Sequence, residues 1–269
     1  TGVAVVGYSI IVARIFLIIS LLYLVYKILA IKFSLKDALK VNKDDFKGLL
    51  SIGIPSAGEN LSYQLSQVVI TSFVAIIGDA ALAARVYILN ISMLCFLFTL
   101  AIAQGTQLLV ARYIGAKQYD RALQRGLKTL KIAMFVSLVI SLGVALIGEP
   151  LLRVFTDNPS IIAVALPVLW AIVFIEPGRA MNIVLMGSLK SVGDVRFPVV
   201  IGIICMWGVA VVFSYLFGIT FGLGLLGIWL AQGLDEWIRG IFAWRRWHSQ
   251  PWLRKNKIQA KKQLEKAGV

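Results

Sequence analysis

The chain is short of the residues on which most enzymes, metal centres and redox proteins rely. It carries one histidine, two cysteines and thirteen acidic residues among 269. The lone His248 lies past the last apolar run and reads as a surface residue, so it assembles neither a metal site nor a catalytic pair. Cys95 and Cys205 both fall inside apolar runs, where cysteine serves as a small polarizable hydrophobe. Neither a disulfide framework nor a metal-ligand spacing follows from them. The sequence has no H-E-x-x-H, no aspartate-rich magnesium motif and no Ser/His pairing. It therefore does not read as an enzyme, and no catalytic residue, metal or cofactor is expected. The alternating ten-residue pattern of a membrane barrel is also absent.

Apolar runs too long for a water-soluble core fill the chain instead. Hydrophobic residues make up 59% of it and the mean hydropathy is +0.86. AVVGYSIIVARIFLIISLLYLVY opens it, and SYLFGITFGLGLLGIWLAQ (Ser214 to Gln232) comes near its end. A helix rises about 1.5 Å per residue, so roughly 20 apolar residues cross a hydrocarbon core of about 30 Å. Seven spans are expected, at roughly 3–26, 49–77, 82–110, 128–148, 161–189, 197–217 and 222–244, with bounds good to a few residues. Backbone groups in lipid must be satisfied within a segment, so these are helices and the fold class is all-α, a polytopic transmembrane bundle.

A formal net charge of +14 would ordinarily point towards nucleic acid, but its distribution points to a bilayer. Lys27, Lys32, Lys36, Lys40, Lys43 and Lys47 follow the first run. Arg112, Lys117, Arg121, Arg125, Lys128 and Lys131 follow the third. Lys190 and Arg196 follow the fifth, and the tail holds Arg245, Arg246, Arg254, Lys255, Lys257, Lys261, Lys262 and Lys266. The intervening joints hold only Arg85 and Arg153. That alternation is the positive-inside pattern. It places the N-terminus outside and the C-terminus in the cytoplasm, with the basic joints beside anionic lipid. No nucleic-acid partner is expected.

Four segments follow along the chain: a first helix at 1–30, a cytoplasmic linker at 31–48, a six-helix body at 49–247 and a basic cytoplasmic tail at 248–269. The linker is charged but periodic, with Phe33, Leu35, Leu39 and Phe46 placed to lie on the headgroups. The joint from Ala116 to Lys131 has the same character, with Tyr119, Leu123, Leu127 and Leu130 at helical spacing. One internal echo stands out. Gly2 precedes Arg14 by twelve residues, and Gly227 precedes Arg239 by the same number. If the echo reflects a duplication, the first and last spans are equivalent ends of two repeats, and five spans of a first lobe lie outside this chain.

Charge inside a membrane span is costly and faces a cavity or a partner. In SIGIPSAGENLSYQLSQVVIT, Glu59 and Tyr63 are one turn apart, and Asn60, Gln64 and Gln67 form an adjoining polar strip. Pro55 loosens the helix four residues before Glu59. In FIEPGRAMNIVLMGSLKSVGD, Glu176 and Arg179 share a face, Pro177 and Gly178 make that turn bendable, and Asn182 follows. In LDEWIRG, Asp235 and Arg239 pair at i,i+4, near the cytoplasmic end of the last span, and read as a structural ion pair. Glu59 has no basic residue within a turn of its own helix. It is therefore taken, with Glu176, as an ion-coupling carboxylate that exchanges a proton or another cation. Pairing of Glu59 with Arg179 across helices stays open. Asn60, Tyr63, Gln64, Gln67, Arg179 and Asn182 are the candidate cavity residues, although amides also hydrogen-bond neighbouring helices.

Four stretches, IGIPSAGENLSYQLSQ, AIIGDAALAARVYILNISML, AQGTQLLVARYIGAKQYDRAL and LKSVGDVRFP, resemble the second half of the multidrug and toxic compound extrusion (MATE) transporters. The G-D-x-R-x-P element (Gly193, Asp194, Arg196, Pro198) and the A-Q-G-T-Q…A-R-Y-I-G-A stretch are the more specific parts. The likeness runs from the family's sixth span to its twelfth. It implies two six-helix lobes, of which an N-terminal one lies in cis outside this chain. It also implies secondary active export across the cytoplasmic membrane, with a proton or sodium ion entering as an organic solute or drug leaves. The chain departs from the family pattern at the coupling residues. The cation-site glutamate, about two turns after the proline, falls on Tyr63 here, and the acid of the fifth span falls near Arg179. Glu59 and Glu176 each lie one turn earlier. Three other readings compete with export: a lipid-linked precursor flippase of the same superfamily, a membrane enzyme and a non-transporting partner subunit.

Overall fold

The structure, a computed structural model, describes residues 2–28 and 43–253, and it falls into two compact units, Thr1–Ser51 and Ile52–Val269. Most of the linker, including Phe33, Leu35 and Leu39, lies outside the described residues, as does the tail from Arg254 onward. In the first unit, helix α1 (Gly2–Tyr23) runs into a wide π-helical turn, Leu24–Ile28. It is apolar around its whole circumference, and Arg14 is exposed on it. The remaining helices are α2 (Lys43–Ile77), α3 (Asp79–Gly115), α4 (Tyr119–Leu146), the short α5 (Gly148–Arg153), α6 (Pro159–Ser191), α7 (Arg196–Thr220) and α8 (Gly224–His248). No strand occurs among the described residues.

Among the described residues six helices are long and apolar enough to cross a bilayer: Gly7–Lys27, Gly53–Ile77, α3, α4, α6 and α7. The seventh expected span coincides with α8, a 25-residue helix that carries Asp235, Glu236 and Arg239 through its middle. The basic joint after α3 is not a loop. It forms the first turns of α4, as the spacing of Tyr119, Leu123 and Leu127 implies.

Helix ends follow local chemistry. The Asn158 side chain accepts a hydrogen bond from the Ser160 amide at 3.0 Å, with Pro159 at the first helical position of α6. Only Gly78, at φ +131°, separates α2 from α3, a conformation that side chains rarely adopt. Gly193, at φ +84°, likewise turns the chain after α6. There Asp194 accepts from Arg246 Nε at 2.8 Å, and the Arg246 guanidinium lies over Phe197 at 4.9 Å. The G-D-x-R-x-P element thus anchors the end of α8.

Helix α6 is the hub of the second unit, packing against α3, α4 and α8. One apolar core gathers Ile70, Val74, Ala84, Ile88, Leu169, Ile172, Ile228 and Trp229. The other gathers Ala103, Ala122, Val184, Leu185, Leu189 and Trp247. Helices α6 and α8 approach through glycine, which lets backbones come close where lipid gives little drive to associate. A Cβ on Gly233 would stand 2.6 Å from Ile175 Cγ1, and one on Gly178 would stand 2.6 Å from the Trp237 ring. Gly233→Val therefore forces the two helices apart. The expected cost is about 1–3 kcal/mol, read as a lowered unfolding temperature in detergent. An unchanged temperature would show that α6 and α8 tolerate wider spacing.

Candidate functional site

Helix α2 makes few close backbone contacts; no residue in the N-terminal half of its Gly53–Ile77 stretch is buried, while Ile70 and Val74 further along are fully buried in the core. Polar side chains bridge to the neighbouring helices instead. Lys190 Nζ donates to Glu59 Oε2 at 2.6 Å, Trp207 Nε1 to Ser62 Oγ at 2.9 Å and Arg85 Nη2 to Gln67 Oε1 at 3.0 Å. The space behind these bridges forms two cavities.

The first cavity measures about 400 Å³ and lies among α2, α3, α6, α7 and α8. Tyr63, Ser66 and Gln67 line it from α2, Arg179 and Asn182 from α6, and Gln232, Asp235, Glu236 and Arg239 from α8. Met206 and Ala210 enter from the π-helical turn Met206–Val211 of α7. Such wide turns often occur at functional sites.

Five ionisable groups form a chain at this wall, acidic and basic in turn, with Glu176 just behind it. Glu176 accepts from Arg179 at 2.6 Å, and Arg179 Nε faces Glu236 Oε1 at 3.5 Å. Glu236 Oε1 in turn faces Arg239 at 3.6 Å, and Arg239 bonds Asp235. Asn182 Nδ2 donates to the other Glu236 oxygen at 2.6 Å. With all five ionised, three carboxylates against two guanidiniums would leave the chain one negative charge in excess. Its members are not equally engaged. Both oxygens of the central Glu236 are occupied, whereas Glu176 Oε2 and Asp235 Oδ1 are buried without a hydrogen-bond partner. Ser92 Oγ, Asn182 Oδ1, Gln232 Nε2 and Arg239 Nε are in the same condition. Apart from Glu176, every residue in that group lines the cavity. Buried polar atoms are ordinarily satisfied, so these are set to receive a polar occupant.

Most of the candidate residues come together here. Tyr63, Gln67, Arg179 and Asn182 line the first cavity, and Glu176 lies directly behind Arg179. Gln64 does not join them: it is exposed and lines neither cavity, because one residue is a 100° rotation on a helix. Asn60 donates to the Ser56 carbonyl and lines the second cavity. Glu59 pairs with Lys190 rather than with Arg179. The Asp235–Arg239 pair forms as expected, but at the middle of α8 and on the cavity wall rather than near the helix end. Arg85, counted above as a joint charge, is buried within α3, under Trp229 at 5.5 Å and bonded to Gln67.

Three participants went unrecognised in the sequence. Glu236 lies three residues before Arg239, hence on the same face, and that spacing could have shown it. Lys190, read as an orientation charge, and Gln232 gave no such signal. Among the described residues no group of acidic, histidine and cysteine side chains could hold a metal ion.

Fold and cavity together define a polytopic helical membrane protein with a polar chamber inside its bundle. The MatE family model matches residues 55–216, and the chain belongs to the multidrug and toxic compound extrusion (MATE) family. It is 44% identical to the uncharacterized transporter YisQ of Bacillus subtilis, over 94% of this chain and 56% of that protein. Identity to the probable multidrug resistance protein NorM of Thermotoga maritima is 24%, over 79% of this chain and 47% of that one. The chain thus spans about half the length of the curated relatives it matches. A multidrug resistance MATE transporter of the MOP superfamily, solved in an outward-facing conformation, superposes with a TM-score of 0.77 at 19% identity, over 87% of this chain and 53% of that one. A MOP superfamily transporter from Pyrococcus furiosus, whose reverse binding-pocket polarity was taken to suggest a different function, gives 0.74 at 18% identity, over the same shares.

Removing Arg239 leaves Asp235 uncompensated and Glu236 with one guanidinium. Arg239→Met is expected to destabilise the protein by about 3–5 kcal/mol, measured by unfolding in detergent. Adding Asp235→Asn should recover part of that loss. A second change that merely adds its own cost would show that the two residues are not coupled.

Proposed function

We propose that this chain is the C-terminal lobe, 49–247, of a secondary active efflux antiporter in the cytoplasmic membrane. In this reading residues 1–30 are the last helix of an N-terminal lobe, 31–48 the linker and 248–269 a cytoplasmic tail, with the N-terminus outside and the C-terminus inside. A proton or sodium ion enters while an organic solute or drug leaves, by alternating access.

The charge chain on the cavity wall carries the proposal. With its three carboxylates ionised it is one positive charge short of neutrality in a low-dielectric interior, and a proton or one monovalent cation on an end carboxylate restores the balance. The acceptors are the two ends, Glu176 and Asp235, each of which keeps an unpartnered oxygen. Glu236, engaged by both arginines and by Asn182, is the fixed charge between them. Tyr63, Gln67, Arg179 and Asn182 supply polar contacts to cargo, and Met93, Phe96 and Met206 supply its apolar seat. When cation and cargo compete for the chain's free valence, occupancy by one favours release of the other, which is exchange. The relatives' names add weight to drug export and none to the flippase alternative.

Glu176→Gln keeps shape and volume but removes the charge. In proteoliposomes of the transporter assembled with both lobes, cation-driven cargo export is expected to be abolished while membrane insertion stays at the wild-type level. Wild-type export by this variant would remove Glu176 from coupling.

A further inference from the structure

A second cavity of about 440 Å³ lies beyond the first. Glu59 and Asn60 line it from α2, Gln107 from α3, Gly187 and Lys190 from α6, and Gly202 from α7. The two cavities share three wall residues, Asn182, Ile183 and Arg239. Two of these are polar and both belong to the charge network. Asn182 is 6% exposed, donates to Glu236 and keeps its Oδ1 unpartnered. Arg239 bonds Asp235 and keeps its Nε unpartnered. The polar part of the partition thus consists of two side chains held by Asp235 and Glu236.

At the opposite side of the second cavity stands the Glu59–Lys190 pair. Glu59 is 20% exposed at its side chain and Lys190 34%. The backbone at Gly202 comes close beneath the carboxylate: a Cβ there would stand 3.3 Å from Glu59 Oε1. Gln107 lies flat on Gly187, where a Cβ would meet its Nε2 at 2.1 Å. Two glycines thus leave room for polar side chains that a larger residue would displace.

We propose that the second cavity is a further station on the path of the coupling cation, with Glu59 as its carboxylate and Lys190 as the stopper that occupies Glu59 between cation passages. The inference rests on the antiport reading above. A proton or sodium ion held at Asp235 loosens Arg239 from that carboxylate. Arg239 and Asn182 then move together, because both are bonded to Glu236, and the partition opens. The cation passes to Glu59 and displaces the Lys190 ammonium, which swings towards the more exposed side. After the cation leaves, Lys190 returns and closes the path. Ile183, the apolar member of the partition, keeps the two cavities separate while the charge network is closed. The stopper gives Lys190 a task beyond orienting the chain in the bilayer.

The test compares Glu59→Gln, Lys190→Met and the charge exchange Glu59→Lys with Lys190→Glu, in proteoliposomes of the transporter assembled with both lobes. Three quantities are read: cargo binding, cation-driven export, and cargo-free cation flux with a proton dye and with radioactive sodium in separate arms. Glu59→Gln should lower driven export by at least about tenfold, the scale of a lost charge-assisted hydrogen bond, with cargo binding unchanged. Lys190→Met should raise cargo-free cation flux severalfold, in the proton arm or in the sodium arm according to the coupling ion. The charge exchange restores the pair and the fold but puts the carboxylate on the wrong helix, so export should stay low. Wild-type export in the exchange variant, or unchanged cation flux in Lys190→Met, would reduce the pair to a strut and overturn the proposal. Failure of the antiport reading would look different: the unmodified protein would show no cation-driven export at all.

Discussion

Between α6 and α8 five ionisable side chains, acidic and basic in turn, run through the middle of an apolar bundle, and Arg239 among them lines both cavities. At an effective dielectric near 20, a charge contact at about 3 Å is worth about 5 kcal/mol. The cost of stripping water from one ion is of similar size, several kcal/mol. An isolated pair has one contact for two dehydrated ions. The chain from Glu176 to Asp235, with all its groups ionised, has four contacts for five ions. Glu236, in contact with two guanidiniums, is the best compensated of the carboxylates, and the two ends have one guanidinium each. The same arithmetic that lets the chain exist thus makes its ends the places where an added cation gains most.

The chain can form only because α6 and α8 come close enough for their side chains to meet. Gly178, Gly233 and Gly240 allow that approach, each with a side chain of the other helix lying where a Cβ would be. Pro177 removes an amide from the turn that carries Glu176 and leaves the Val173 carbonyl without its helical partner. One residue on, the Phe174 carbonyl accepts from Trp237 Nε1 at 3.0 Å, and the two rings stack at 5.3 Å. The bendable turn is therefore steadied from α8 rather than from within α6. Charge, glycine contact and ring clamp all connect the same two helices at the same level.

What the sequence made legible divides along physical lines. Run length and apolar composition depend on single helices, and each expected span overlaps a described helix, although α4 begins at Tyr119 rather than near 128. Residues three or four apart on one helix were also readable, so Glu176–Arg179 and Asp235–Arg239 appear in the structure as spacing implied. Contacts between helices were not readable. Lys190 is 131 residues from Glu59, and no periodicity within α2 or α6 could name it as the partner. Arg85 was misplaced for a related reason. A hydropathy pattern does not distinguish a charge at a helix end from one a turn and a half inside, whose cost is offset by Gln67 and the face of Trp229. Gln64 lies outside both cavities because a helix divides an amide-rich strip between the cavity and the surface.

The sparse backbone contact of α2 is the other structural condition for a chamber. A helix that packed tightly along its whole length would fill the space with side chains, and no cavity would remain. Here the C-terminal end of α2 is fixed by Ile70 and Val74 in the apolar core, while the stretch from Glu59 to Gln67 is tied to its neighbours by separate polar contacts. Apolar contacts forfeit about a quarter to a half of their attraction when stretched by 0.5–1 Å. A Lys–Glu pair or an indole–hydroxyl bond can instead exchange one partner for water or for an ion. One end of the helix is thus a fixed root and the stretch before it a wall whose attachments are individually reversible. That division is what a path with successive stations requires, and it places the reversible contacts on the side of α2 that faces the charge chain.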